Sequence, residues 1–115
     1  PQNPKPQLNI LIQIKLDKLS IKEIKANLES LEGWRFDSDQ LKTSYKLNSF
    51  MEVMSFANLI SDKSEKINHH PKIIIDYKII EFNIMTHDIS GISRLDFQLA
   101  NFIHETYIEL FLPNS

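Results

Sequence analysis

The chain has 115 residues, 42% apolar and 24% charged, the make-up of one soluble domain able to bury a core without cross-links. A formal net charge of -2 gives no general attraction to nucleic acid or to an anionic membrane surface. The absence of cysteine excludes disulfides, thiolate metal sites and thiol nucleophiles, and no apolar run approaches the ~20 residues of a membrane span.

Residues 1–7, PQNPKPQ, read as an extended tail because their prolines block helix formation, which leaves 8–115 as a single domain. Leu8, Ile10, Ile12, Ile14 and Leu16 then alternate, the period of an extra N-terminal strand. Asn9, Gln13 and Lys15 interrupt that run, and no small-residue cleavage site follows it. It is therefore a poor secretory signal, and the expected location is cytoplasmic.

A first helix is predicted from the S-x-x-E box of Ser20 and Glu23, with a Leu19–Ile24 staple. Ile21, Ile24, Leu28 and Leu31 form its apolar stripe, and Gly33 is its expected C-cap. Two strands follow in WRFDSDQLKTSYKL around a turn at residues 37–40. In the second of them Leu41, Thr43, Tyr45 and Leu47 alternate with Lys42, Ser44 and Lys46. A second box, Ser49 to Glu52, opens a helix carrying Phe50, Val53, Met54, Ala57 and Ile60, expected to fray before Pro71. KIIIDY and KIIEFNIMTH read as two more strands, although residues 76–78 lack the usual hairpin residues. Ser93 and Asp96 make a third box after Gly91, starting a helix that turns Leu95, Leu99, Phe102 and Ile103 inward. The pattern is an α+β domain: a four-stranded antiparallel sheet with three helices on one face, in the order α-β-β-α-β-β-α.

The titratable residues that stand out are Glu65, His69, His70, His87 and Asp96. Singly, each has an ordinary reading. Glu65 suits a solvated helix face, Asp96 a helix cap, His87 a loop, and His104 a helix surface. Together, three imidazoles near a carboxylate suit proton transfer close to neutral pH, or three-histidine zinc ligation with an open position.

The stretch EKINHHPKIIIDYKIIEFNIMTHDISGISRLD resembles the signature of the pterin-4a-carbinolamine dehydratases. Glu65, His69-His70-Pro71, Tyr77, His87 and Asp96 fit that family's spacings, and Gly33–Trp34 and Thr86–Gly91 resemble it as well. Ile73 and Lys78 depart from it, at positions where the family often has an aromatic residue and an asparagine. The resemblance implies a lyase that removes water from a 4a-hydroxytetrahydropterin, giving the quinonoid dihydropterin in tetrahydrobiopterin recycling, with no metal and no cofactor. It implies His69 and His87 as the principal acid and base, His70 as a residue that positions the pterin, and Asp96 as the partner of an imidazole. Glu65, Asn68, Met85, Thr86 and Asp88 match positions associated with substrate, partly through backbone. It also implies a homodimer or homotetramer. The rival reading is a dimerisation cofactor of a transcription factor, acting through a helical surface without touching DNA. A zinc hydrolase is the third reading.

Overall fold

The structure, a computed structural model, describes residues 17–112. The tail at 1–7 and the strand expected over 8–16 lie outside the described residues. The elements are helix α1 (Ile21–Leu28), strands β1 (Arg35–Asp37) and β2 (Gln40–Lys46), helix α2 (Phe50–Ile67), strands β3 (Lys72–Asp76) and β4 (Ile79–Ile84), and helix α3 (Arg94–Thr106). A short 3₁₀ turn at His87–Ile89 precedes α3, and a π-helical turn at Tyr107–Phe111 extends it. The predicted order and class are observed. Among the described residues no helix is long and apolar enough to cross a membrane.

The strands form one antiparallel sheet in the order β1-β2-β4-β3. Because side chains alternate along a strand, register alone separates the two faces. Leu41↔Ile84, Thr43↔Phe82 and Tyr45↔Ile80 pair across β2 and β4, and all six are buried beneath the helices. Phe56 of α2 meets this layer with its ring 5.3 Å from Phe82 and 5.5 Å from Tyr45. Leu99 and Ile103 of α3 are fully covered. Each such side chain contributes about 1.5–3 kcal/mol.

The helix starts follow the predicted boxes with one change. In α1, Glu23 N–H donates to Ser20 Oγ (3.1 Å) and Ser20 N–H to Glu23 Oε1 (2.8 Å). In α2, Glu52 N–H donates to Ser49 Oγ (3.1 Å), but the Glu52 carboxylate accepts from Asn48 N–H (3.1 Å) instead of from Ser49. Helix α1 stops at Leu28, short of Gly33. Leu31 is still buried, delivered by turns, and Gly33 (φ 86°) sits beyond them, where only glycine is at ease. At the β1–β2 turn Ser38 (φ 53°) and Asp39 (φ 63°) both take the left-handed conformation that a tight two-residue hairpin requires. The β3–β4 link is also two residues, with Tyr77 at φ 55° despite its bulk.

His104 departs from its expected place on the surface. It is half-buried, with Nδ1 3.1 Å from the Tyr45 hydroxyl, and that hydroxyl accepts from Trp34 Nε1–H at 3.0 Å. The indole can only donate, so the phenol oxygen is its acceptor and the imidazole is the phenol's second partner. The polar neighbours of His104 along the helix gave no hint of a tyrosine arriving from the sheet.

Burial pushes the Tyr45 phenol up to about 12. The folded chain holds this proton more tightly than the unfolded chain, whose phenol ionises near 10. This contribution is therefore fully present below about pH 10 and lost as pH rises toward 12. We expect Tyr45→Phe, which leaves the buried indole N–H without an acceptor, to cost about 1–3 kcal/mol in urea denaturation. The alkaline fall in stability should also become shallower. An unchanged midpoint would mean that the Trp34–Tyr45–His104 chain contributes nothing.

Candidate active site

The site is built where α2 ends, where β4 ends and where α3 begins. Helix α2 does not fray toward Pro71. It closes on Asn68 in the left-handed conformation (φ 53°), with Asn68 N–H donating to Glu65 O (3.3 Å) and His69 N–H to Ser64 O (3.0 Å). Asparagine tolerates this conformation better than most residues, and the two bonds satisfy carbonyls that a helix end leaves free. The closure fixes the backbone of His69 before its side chain makes any contact.

At the end of β4 the chain folds into a tight loop. Thr86 N–H donates to Gly91 O (2.8 Å), and Ile89 and Gly91 N–H both return to Thr86 O (3.3 and 3.4 Å). Ser90 N–H donates to His87 O (3.1 Å), and Ser90 is left-handed (φ 49°). His87 and Asp88 sit exposed on this loop. Gly91 cannot carry a side chain without displacement, since a Cβ there would lie 2.7 Å from Lys18 Cε.

Asp96 joins the two regions. It is fully buried, three residues into the capping box of α3. Its Oδ2 accepts from Ser93 N–H (2.8 Å) and from the Thr86 hydroxyl (2.7 Å), with Ser93 Oγ further off at 3.4 Å. Its Oδ1 lies 2.6 Å from His69 Nε2. Thr86 Oγ1 and Ser93 Oγ are 2.7 Å apart, and Ser93 Oγ also accepts from Leu95 N–H (3.2 Å). The single Thr86 proton goes to Asp96, so Ser93 donates to Thr86, and every proton in the network has a defined acceptor. His69 Nε2–H donates to the carboxylate, which leaves its Nδ1 as the ring atom free for proton chemistry.

The adjacent histidines have separate partners. His69 faces Asp96 with its side chain only 11% exposed, whereas His70 Nε2 lies 2.5 Å from Glu65 Oε2 on the open surface. Among the described residues no three His, Cys, Asp or Glu side chains are close enough to share a metal ion, so the histidines are not gathered as a ligand set. Thr86 is buried and turned to Asp96, and Met85 packs against the core. Reading the sequence missed Ser93 and the hydroxyl chemistry of Thr86. The S-x-x-D box did signal Ser93, but as a cap only.

The family model described as pterin 4 alpha carbinolamine dehydratase matches residues 17–106. The chain is 32% identical over 88 residues to a Sulfolobus acidocaldarius protein, covering 76% of this chain and 97% of that one. It is 34% identical over 82 residues to a Nostoc protein, covering 71% and 88%. Both carry the pterin-4-alpha-carbinolamine dehydratase name as a provisional designation. Among solved structures, a Brucella melitensis chain described as a transcriptional coactivator/pterin dehydratase shares the fold with a TM-score of 0.75. The identity is 24%, over 77% of this chain and 97% of that one. A pterin dehydratase-like RuBisCO assembly factor of the alpha-carboxysome gives 0.53 at 12% identity, over 63% and 83%.

The network makes Asp96 more than an end cap. A surface charge at a helix N-terminus contributes about 0.3–1 kcal/mol. Asp96→Asn instead sets an amide N–H₂ against buried donors, and should cost about 1–3 kcal/mol in urea denaturation. A loss within the surface-cap range would show that the buried network adds nothing to folding.

Proposed function

Because the chain belongs to the pterin 4 alpha carbinolamine dehydratase family, we propose that it dehydrates a 4a-hydroxytetrahydropterin to the quinonoid dihydropterin, as in tetrahydrobiopterin recycling. The observation that carries this reading is the His69–Asp96 pair, 2.6 Å apart and almost closed from solvent. The substrate is a carbinolamine, with a hydroxyl and an amine nitrogen on one carbon. The nitrogen lone pair expels the hydroxyl as an acid protonates the departing oxygen, and a base removes the N–H proton. Both are proton transfers, which an imidazole performs near neutral pH.

In this reading His69 and His87 are the acid and base. Asp96 orients the His69 ring through Nε2 and stabilises the imidazolium whenever Nδ1 carries a proton, as a carboxylate does for a catalytic histidine elsewhere. His87 approaches from the exposed loop, where its ring can meet a substrate without displacing core atoms. His70, held by Glu65, positions the pterin, with Asn68, Met85, Thr86 and Asp88 contributing partly through backbone. Asn68 and Thr86 use some of their backbone groups to shape the site itself.

The proposal extends to assembly. Strand β3 is an edge of the sheet, and Ile74, Ile75, Tyr77 and Ile79 leave an apolar border partly exposed. That border supports pairing with a second copy of the chain, as a homodimer or homotetramer. A second, protein-binding role has separate support in Met51 and Leu59, exposed apolar residues on one side of α2 and well away in sequence from the histidines. That surface suits a protein partner, and nothing about it requires turnover.

With a freshly generated carbinolamine in stopped flow, His69→Ala and His87→Ala should each lose about 10²–10⁴ in rate, and chelator-treated parent protein should keep its full rate. Parental turnover in either variant removes that histidine from the chemistry. Activity lost to chelator and restored by zinc points to the hydrolase. Light scattering at micromolar concentration should find more than one chain per particle, and a monomer would count against the assembly alone.

A further inference from the structure

The groove between the start of α1 and one edge of the sheet is apolar, open and placed where the described chain begins. Leu19, Ile21, Ile24 and Ile92 line one side of it, Phe36 of β1 lines the other, and its volume is about 460 Å³. Ile21 is 54% exposed although it belongs to the apolar stripe of α1, and Phe36 is only half-buried. Lys18 and Asp39 also line the groove, so residue 17 is delivered to its rim beside the β1–β2 turn.

Strand β1 leaves backbone groups unmet at this edge. The two-residue turn makes Asp37 and Gln40 a hydrogen-bonded pair, and because such pairs alternate, Arg35 and Lys42 form the next. Phe36 N–H and C=O therefore point away from β2, and among the described residues neither has a hydrogen-bond partner. A strand edge with open backbone groups beside apolar side chains is a template for another strand.

The sequence directly ahead of residue 17 supplies one. Leu8, Ile10, Ile12, Ile14 and Leu16 alternate with no proline or glycine among residues 8–16, and that length of extended chain spans roughly 30 Å, well beyond β1. Phe36, Leu41 and Ile84 form one row on the helix side of the sheet. A strand added beyond β1 with its apolar set turned the same way extends that row over Phe36 and against Ile21. Gln13 and Lys15 then fall on the open side, beside Arg35 and Asp37. Both β1 and the segment run toward the β1–β2 turn, so the pairing is parallel.

We propose that residues 8–16 of this chain seat in the groove as a fifth strand, parallel to β1 and paired to it through Phe36. The seat covers one edge of the sheet from within the chain and leaves β3 as the edge open to a second copy. It stands independently of the dehydratase reading.

The absence of cysteine makes cross-linking in the full chain unambiguous. Under mild oxidation, Lys15→Cys combined with Asp37→Cys should close a disulfide within one chain. It should do so roughly tenfold faster than Lys15→Cys combined with Asp76→Cys, on the far edge of the sheet. Gln13→Cys with Asp37→Cys covers a register shifted by one pair. By hydrogen exchange, the Phe36 amide of the parent should be protected. Ile12→Asp with Ile14→Asp should speed its exchange roughly tenfold while the Leu41 amide, inside the sheet, keeps its rate. Rapid exchange at Phe36 in the parent overturns the seat, as does protection that survives the double substitution. Near-edge pairs that close no faster than the far-edge pair overturn it too. A disulfide that joins two chains at low micromolar concentration also does so, since the segment would then belong to a neighbouring copy.

Discussion

A buried carboxylate without its own countercharge needs donors from several directions, and Asp96 obtains them from three parts of the chain. Ser93 comes with it in the first turn of α3, Thr86 from the end of β4, and His69 from the end of α2. Removing a charge from water is costly unless its lone pairs are filled, so these elements are held to one another by the same requirement. The demand is geometric as well as energetic. Helix and strand ends must meet within hydrogen-bond distance of a single side chain, and that fixes where His69 can stand.

The rest of the site follows from how each element stops. Helix α2 ends on a left-handed asparagine and so presents His69 inward and His70 outward, where each finds its own carboxylate. Strand β4 ends in a loop closed on Thr86, so His87 rides on a short framed segment. Two adjacent imidazoles would repel if both were charged in one pocket. Their separation onto opposite sides of the chain removes that conflict and allows different duties.

Much of this was legible in the residues, for identifiable reasons. The alternation of Leu41, Thr43 and Tyr45 and the three S-x-x-[DE] boxes depend on local chemistry, and they located the second strand and the three helix starts. Helix ends were harder. The stop of α1 at Leu28 and the closure of α2 on Asn68 depend on backbone conformations that Gly33 and Pro71 only suggested. Long-range polar contacts were not legible at all. Nothing near Tyr45 or His104 in the chain announces their bond across 59 positions, and Ser93 looked like a cap because its second duty needs Thr86. The HHP stretch marked out its histidines, but their different surroundings are a property of the fold.

The contact between Gly91 and Lys18 bears on how the chain can be trimmed. Lys18 lies across Gly91, and Leu19 N–H donates to Ile92 O at 2.8 Å, so the residues just ahead of α1 clasp the loop that carries His87. Removing Lys18 and Leu19 would take away that clasp together with an apolar side chain that packs against the core. The loop that carries His87 is therefore braced from outside the first helix, by the alkyl stem of a lysine and the backbone of the residue after it.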